Sequence, residues 1–238
     1  MAGTKTRLDV QTAAATWLGD TSFAVWSAAE LNSYIQEGYN DLVYRTLLIW
    51  KKSNTAFTLV AGTASYTLPT DFLKMDRITF NKRRLKPLHM EELWRTDATF
   101  LTQQGDVTGY YMDGLGYSSI NFYRVPSVAG TSYTSIEYFR RGATLSADGT
   151  VLEIPDHYVE YVKWFVLHKA LERDGPGQDV KLSQHFRERY EEGVQTIKRR
   201  KGRMNASRVG SFGGPGLSKQ APPLPQMPWN FGRIVRGR

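Results

Sequence analysis

Hydrophobic positions change their period twice along this 238-residue chain. Over residues 7–19, Val10, Ala14, Trp17 and Leu18 recur on one face and Gly19-Asp20 closes the run, which predicts a short helix. A second helix is predicted from Ser27 as N-cap, with Glu30 three residues on in a capping-box pattern. Leu31, Ile35, Tyr39, Leu42, Thr46 and Ile49 carry its apolar stripe to an end near Lys51-Lys52, where cations suit the C-terminal dipole. From residue 55 to 154 the period drops to about two. Strands are predicted at 57–60 and 65–69 around a turn at 61–63, at 77–80 before a turn at Asn81-Lys82, and at 109–112, 120–125 and 133–141. A short helix is predicted at 90–101 among them. Helical spacing returns at Pro155, which suits a first-turn position. Tyr158, Val162, Phe165 and Lys169 mark one side of that helix, while Val159, Tyr161, Trp164 and Val166 wrap well past it and imply burial on more than one face. Gly175-Pro176-Gly177 ends it, and a last helix from about Gln178 carries Leu182, Phe186, Tyr190, Val194 and Ile197 at three- and four-residue steps.

This order predicts an α+β fold: a helical bundle core from residues 1–53 and 155–200, an inserted antiparallel β-domain at 54–154, and an extended C-terminal arm at 201–238. The chain is long enough to bury a normal core without disulfides, and it has no cysteine, so thiol catalysis and thiolate metal sites are excluded. The N-terminal residues show no apolar leader pattern, and no apolar stretch approaches the roughly 20 residues that span a bilayer; a soluble protein without a membrane partner is expected.

Charge changes the picture only at one end. Residues 193–238 hold ten of the basic side chains and no acidic one, so subtracting ten from the net +8 leaves −2 for residues 1–192. The same segment holds Pro215, Pro222, Pro223, Pro225 and Pro228 and a Gly-rich run, with no helix or strand periodicity, which reads as an extended basic, Pro-rich arm. Fully extended, residues 201–238 would span on the order of 125 Å at about 3.3 Å per residue. Its apolar groups Met227, Trp229, Phe231, Ile234 and Val235, beside Arg233 and Arg236, have no local core to join and are the candidate anchors on a partner. Lys198, Arg199, Arg200, Lys201 and Arg203 are candidates for contact with phosphate or an acidic partner, set against the plainer reading of cations at a helix C-terminus.

No enzyme chemistry is expected. The four histidines, His89, His157, His168 and His185, lack metal-ligand spacing, and His168 with Glu172 reads as a helix-surface pair. No Gly-x-Ser-x-Gly elbow occurs, Glu191 and Glu192 diverge on adjacent helix positions, and neither Gly114-x-Gly116 nor Gly213-Gly214-Pro215-Gly216 opens a helix as a phosphate loop would. Catalytic residues, metal ligands and cofactors are therefore not assigned. The aromatic residues, 13% of the chain, fall mostly at core-facing positions, with Trp229 and Phe231 as exceptions.

The order of motifs is more specific. A helix pair, then Phe57-Thr58-Leu59-Val60-x-Gly62-x-x-x-Tyr66-x-Leu68-Pro69-x-Asp71-Phe72, then Ile120-Asn121-Phe122-Tyr123-Arg124-Val125-Pro126 and Glu137-Tyr138-Phe139-Arg140-Arg141, then Ile154-Pro155 and two amphipathic helices, resembles the head-to-tail adaptor (connector) proteins of tailed bacteriophages. The resemblance covers roughly residues 25–200. It implies a structural virion protein in the neck, assembled in the host cytoplasm as a homo-oligomeric ring, commonly a dodecamer, that joins the portal protein to the tail nozzle or tube around the DNA channel, with the C-terminal segment clamping the portal. Two other readings stay open on the residues alone: a basic nucleic-acid-binding protein that grips DNA with its tail, and another phage tail component such as a nozzle or tube protein.

Overall fold

In the computed structural model, the described residues are 3–97, 99–112, 118–130 and 134–210, with side chains to Arg203. They form an α+β protein of five helices and predominantly antiparallel sheets. The sheets and the buried clusters belong to one compact unit, Met1–Lys198.

Helix α1 (Arg7–Leu18) opens with a reciprocal capping box: the Thr6 hydroxyl accepts from the Asp9 amide and the Asp9 carboxylate accepts from the Thr6 amide. Gly19, at φ 71°, closes it in the left-handed conformation that suits glycine. Helix α2 (Ala28–Thr46) starts at Ser27, whose hydroxyl accepts from the Glu30 amide. The Glu30 side chain completes no box there; it accepts from Tyr34 and from Arg173, 143 residues away.

Helix α2 ends earlier than the stripe predicts. Leu47 takes a left-handed turn at φ 52°, and Trp50–Ser53 form strand β1, paired antiparallel with Thr134–Arg140, strand β10. The sheet partner lies far along the chain and outweighs local helical spacing, so the expected end near Lys51-Lys52 is corrected to Thr46. Pro155 is likewise the N-cap of α4 (Asp156–Glu172), one position before its first turn. Helix α5 (Val180–Gly210) runs ten residues past its expected end, so the arm predicted from 201 is helical through 210. Lys201, Arg203, Met204 and Ala206 favour helix, and Gly202 alone is a weak breaker. Residues 211–238, including all the arm's predicted anchors, lie outside the described residues.

The sheets are built from pairings that the local pattern does not reveal. Strands β1 and β10 join β3 (Phe72–Phe80) and β4 (Arg83–Arg84) in the order β1-β10-β3-β4. A second sheet orders β2 (Ser65–Thr67), β8 (Ser119–Tyr123), β7 (Gly109–Met112) and β5 (Lys86–Pro87), and a third joins β6 (Gln104–Gly105) to β9 (Val125–Pro126). The expected hairpin between 57–60 and 65–69 is absent among the described residues: Leu59 bridges Gly130 alone, and β2 pairs with β8. The expected all-antiparallel arrangement also needs correction, because β5 with β7 and β6 with β9 are parallel. Arg124, at φ 60°, divides the predicted 120–125 strand into β8 and β9. The turn at Asn81-Lys82 is as expected, both residues being left-handed as a tight hairpin requires.

Two main clusters of buried side chains result. One gathers α1, α2, α4 and α5 around Ile35, Tyr39, Leu42, Val162, Phe165, Phe186, Tyr190 and Val194. The other lies between the two larger sheets: Phe72, Ile78, Phe80, Ile136 and Tyr138 from the first meet Tyr66, Tyr110, Ile120 and Phe122 from the second. Strand alternation turns Tyr111 and Tyr123 to the second sheet's other side, where Leu93 of α3 (Met90–Thr96) and Phe100 cover Tyr111. The second sheet is thus packed on both faces.

Candidate functional site

The cations singled out in the sequence sit on α5. Lys198, Arg199, Arg200 and Arg203 are exposed, and Lys201 is half-buried with an interaction of its own. Successive residues of a helix turn through about 100°, so these charges surround the helix and do not line one face of it. The α5 stripe of Phe186, Tyr190, Val194 and Ile197 is buried, as its spacing predicts. Met227, Trp229, Phe231, Arg233, Ile234, Val235 and Arg236 are outside the described residues.

An open cleft of about 960 Å³ lies among α2, α4, α5 and the segment around Gly142. Several of its polar groups pair with one another. Arg45 donates to both Glu191 oxygens, at 2.7 and 2.6 Å, and the Tyr190 hydroxyl donates to Asp41 at 2.5 Å. Lys169 pairs with Glu37 at 3.0 Å. The hydrogen bonds from Arg45 hold the Glu191 carboxyl below its ordinary pKa, and burial first, then the bond to Asp41, pushes the Tyr190 hydroxyl upward. These pairings join α2 to α5 and to α4.

His168 and Ser183 superficially suggest a nucleophile and its base, with Nδ1 2.8 Å from Oγ. Both are buried, and the Ser183 hydroxyl also lies 3.0 Å from the backbone carbonyl of His168. The single hydroxyl hydrogen can serve only one of these two contacts, and the imidazole tautomer decides which. Burial also pushes the imidazole pKa down. The pair ties α4 to α5, and the expected surface pairing of His168 with Glu172, 3.5 Å away, is the lesser of its contacts. Among the described residues no group of His, Cys, Asp or Glu has the arrangement of a metal site, and no helix is long and apolar enough to cross a membrane.

What the sequence did not flag is how carboxylates pin connecting segments. Asp20 accepts from the amides of Ala24, Val25 and Trp26 at 2.8 to 2.9 Å, bonds that lower its pKa, that to Trp26 most of all. Asp156 accepts from the Thr4 amide and hydroxyl and the Lys5 amide, fastening the N-terminal segment to α4. An acidic residue just after a helix-ending glycine was the only available signal for the first.

The charged and polar groups described thus tie elements of the fold to one another. The SU10 adaptor protein family model matches residues 5–211, and the chain belongs to that family. No curated protein gives a significant match.

Proposed function

We propose that this chain is the ring-forming link between the portal and the tail of a tailed phage, with a channel for DNA at its centre. The observation that carries the reading is the family match over residues 5–211, which spans the helix pair, the β-region motifs and the two closing helices in order. In this reading the α1, α2, α4 and α5 cluster forms a helical bundle core that packs copies side to side, commonly as a dodecamer, and the β-region inserted between α2 and α4 faces a tail nozzle or tube protein. The basic, Pro-rich segment after α5 threads along the portal, with Met227, Trp229, Phe231, Ile234 and Val235 as apolar anchors and Arg233 and Arg236 as ion-pair partners. Ordering such an arm costs entropy, which repetition around a closed ring offsets through avidity. The protein would then lie in the virion neck after assembly in the host cytoplasm.

Deletion of residues 221–238 tests the arm. Co-sedimentation with purified portal rings should be lost, whereas undiminished binding removes the arm from the mechanism. Mass measurement should show a ring that depends on the portal as template. A second reading, a DNA-gripping tail, draws on the exposure of Lys198, Arg199, Arg200 and Arg203. It requires DNA binding that falls steeply with salt and disappears when these four are neutralised.

A further inference from the structure

The two larger sheets differ in what covers their outer sides. The second is covered by α3 and Phe100, but among the described residues no element packs a hydrophobic cluster on the outer side of the first. Because Ile78, Ile136 and Phe80 point inward, alternation sends their neighbours outward, and the register sets these in rows. Arg84 stands opposite Thr79, and Arg77 opposite Glu137, which in turn stands opposite Lys52. Lys74 pairs with Phe139, itself opposite Trp50. The tip of the β3–β4 hairpin adds Lys82 and Arg83, held by a turn of two left-handed residues at φ 47° and 64°.

We propose that this face and its hairpin tip form a docking surface for the phosphate backbone of duplex DNA. Six cations, Lys52, Lys74, Arg77, Lys82, Arg83 and Arg84, stand against two carboxylates, Glu137 and Asp76, a surplus of four. Glu137 is buried beneath Arg77 and Lys52, and Asp76 is exposed at a bulge beside the Trp50 indole. Lys74, Lys82, Arg83 and Arg84 are exposed and make no ion pair among the described residues. Such a surplus is complementary to a polyanion, and cations spread over neighbouring strands suit repeating phosphates better than one anionic pocket. The middle row, Arg77–Glu137–Lys52, is charged, whereas a specific protein interface centres on apolar anchors. On this face Trp50 is the one strongly exposed aromatic among the described residues, which provides no track on which successive bases of a single strand could stack. This inference rests on the adaptor reading only for the place where the chain would meet DNA.

The test measures affinity of the full-length protein for a random-sequence duplex across a salt series. In K74Q/K82Q/R83Q/R84Q, the slope of log affinity against log salt should fall by about 3 to 4, near 0.9 per phosphate contact removed. A parallel K198Q/R199Q/R200Q/R203Q variant reports the α5 cations, and D76N should tighten binding through the sheet face. An unchanged slope in the first variant, with DNA binding lost only in the α5 variant, overturns the proposal. So does a loss confined to a single-stranded probe, or a change in ring size or tail-protein binding with the slope intact, which would make the face a protein interface. Failure of the adaptor reading would show separately, as no co-sedimentation of the full-length protein with purified portal rings.

Discussion

In the helical region ionic side chains reach across the chain. Arg45 on α2 grips Glu191 on α5, Arg173 after α4 grips Glu30 on α2, and Asp156 holds Thr4 and Lys5. In the sheet region, the first sheet's outer side gathers Arg77 and Lys52 around one buried carboxylate, and Lys74 and Arg84 there, with Lys82 and Arg83 at the β3–β4 hairpin tip, make no ion pair among the described residues. Both regions bury aromatic and branched side chains, so hydrophobic content does not distinguish them. The difference lies in where charge is satisfied. Long-range pairs inside a fold fix its elements, whereas a surplus on an open face adds little stability and is available to a partner.

The largest effects should come from the two cores and should be alike. Tyr39 in the helical cluster and Phe122 in the sheet cluster are both almost wholly buried, and burial pushes the Tyr39 hydroxyl pKa to about 12. Tyr39→Ala and Phe122→Ala should each cost about 3–5 kcal/mol in urea unfolding. A much smaller loss for one of them would show that its region packs loosely and would break the symmetry of the comparison.

Acid should then probe the anchoring of the helical region. The amide bonds to Asp20 lower its folded-state pKa below 3.8, so the stability they contribute is full above the unfolded pKa and is lost as pH falls through the folded one. Asp20→Ala should lower the melting temperature at neutral pH and flatten its decline below about pH 4. An unaltered acid profile would exclude Asp20 as the anchor of the segment between α1 and α2.

Smaller losses are expected from single polar contacts. Tyr190→Phe removes the hydroxyl that donates to Asp41 and should cost about 1–2 kcal/mol by chemical denaturation. Glu137→Gln should cost about 1 kcal/mol, because Arg77 and Lys52 are each about half exposed, at 47% and 51%, and water screens much of what they lose. If Glu137→Gln proved the costlier, the carboxylate would be holding the sheet together as the helical ion pairs hold their elements.

How much of this was legible in the sequence depends on whether a contact is local. The stripes of α2 and α5 were readable because Leu31, Ile35 and Tyr39, or Phe186, Tyr190 and Val194, repeat within one element. The tight turn at Asn81-Lys82 was readable for the same reason. Trp50–Ser53 was misread as helix because its partner, β10, lies more than eighty residues on, and Ser65–Thr67 was misassigned to a hairpin because it pairs with β8. Of the candidate site, the α5 cations and their exposure could be read from charge and period. The basic sheet face could not, since Lys52, Lys74, Arg77 and Arg84 come together only through the register of four strands.

The smallest expected effect is the most discriminating. Lys74→Gln with Arg84→Gln removes two exposed cations that make no ion pair among the described residues, and stability should stay within about 0.5 kcal/mol of the parent in urea unfolding. Removing like charge from a face already in surplus relieves some repulsion, so a slight gain is consistent with the argument and a loss is not. A loss near that of Tyr190→Phe would mean that these cations take part in the fold's own pairing, as Arg45 does, and that the contrast between the two regions is false. Unchanged stability together with a weakened response to salt in duplex binding would instead locate their role outside the subunit.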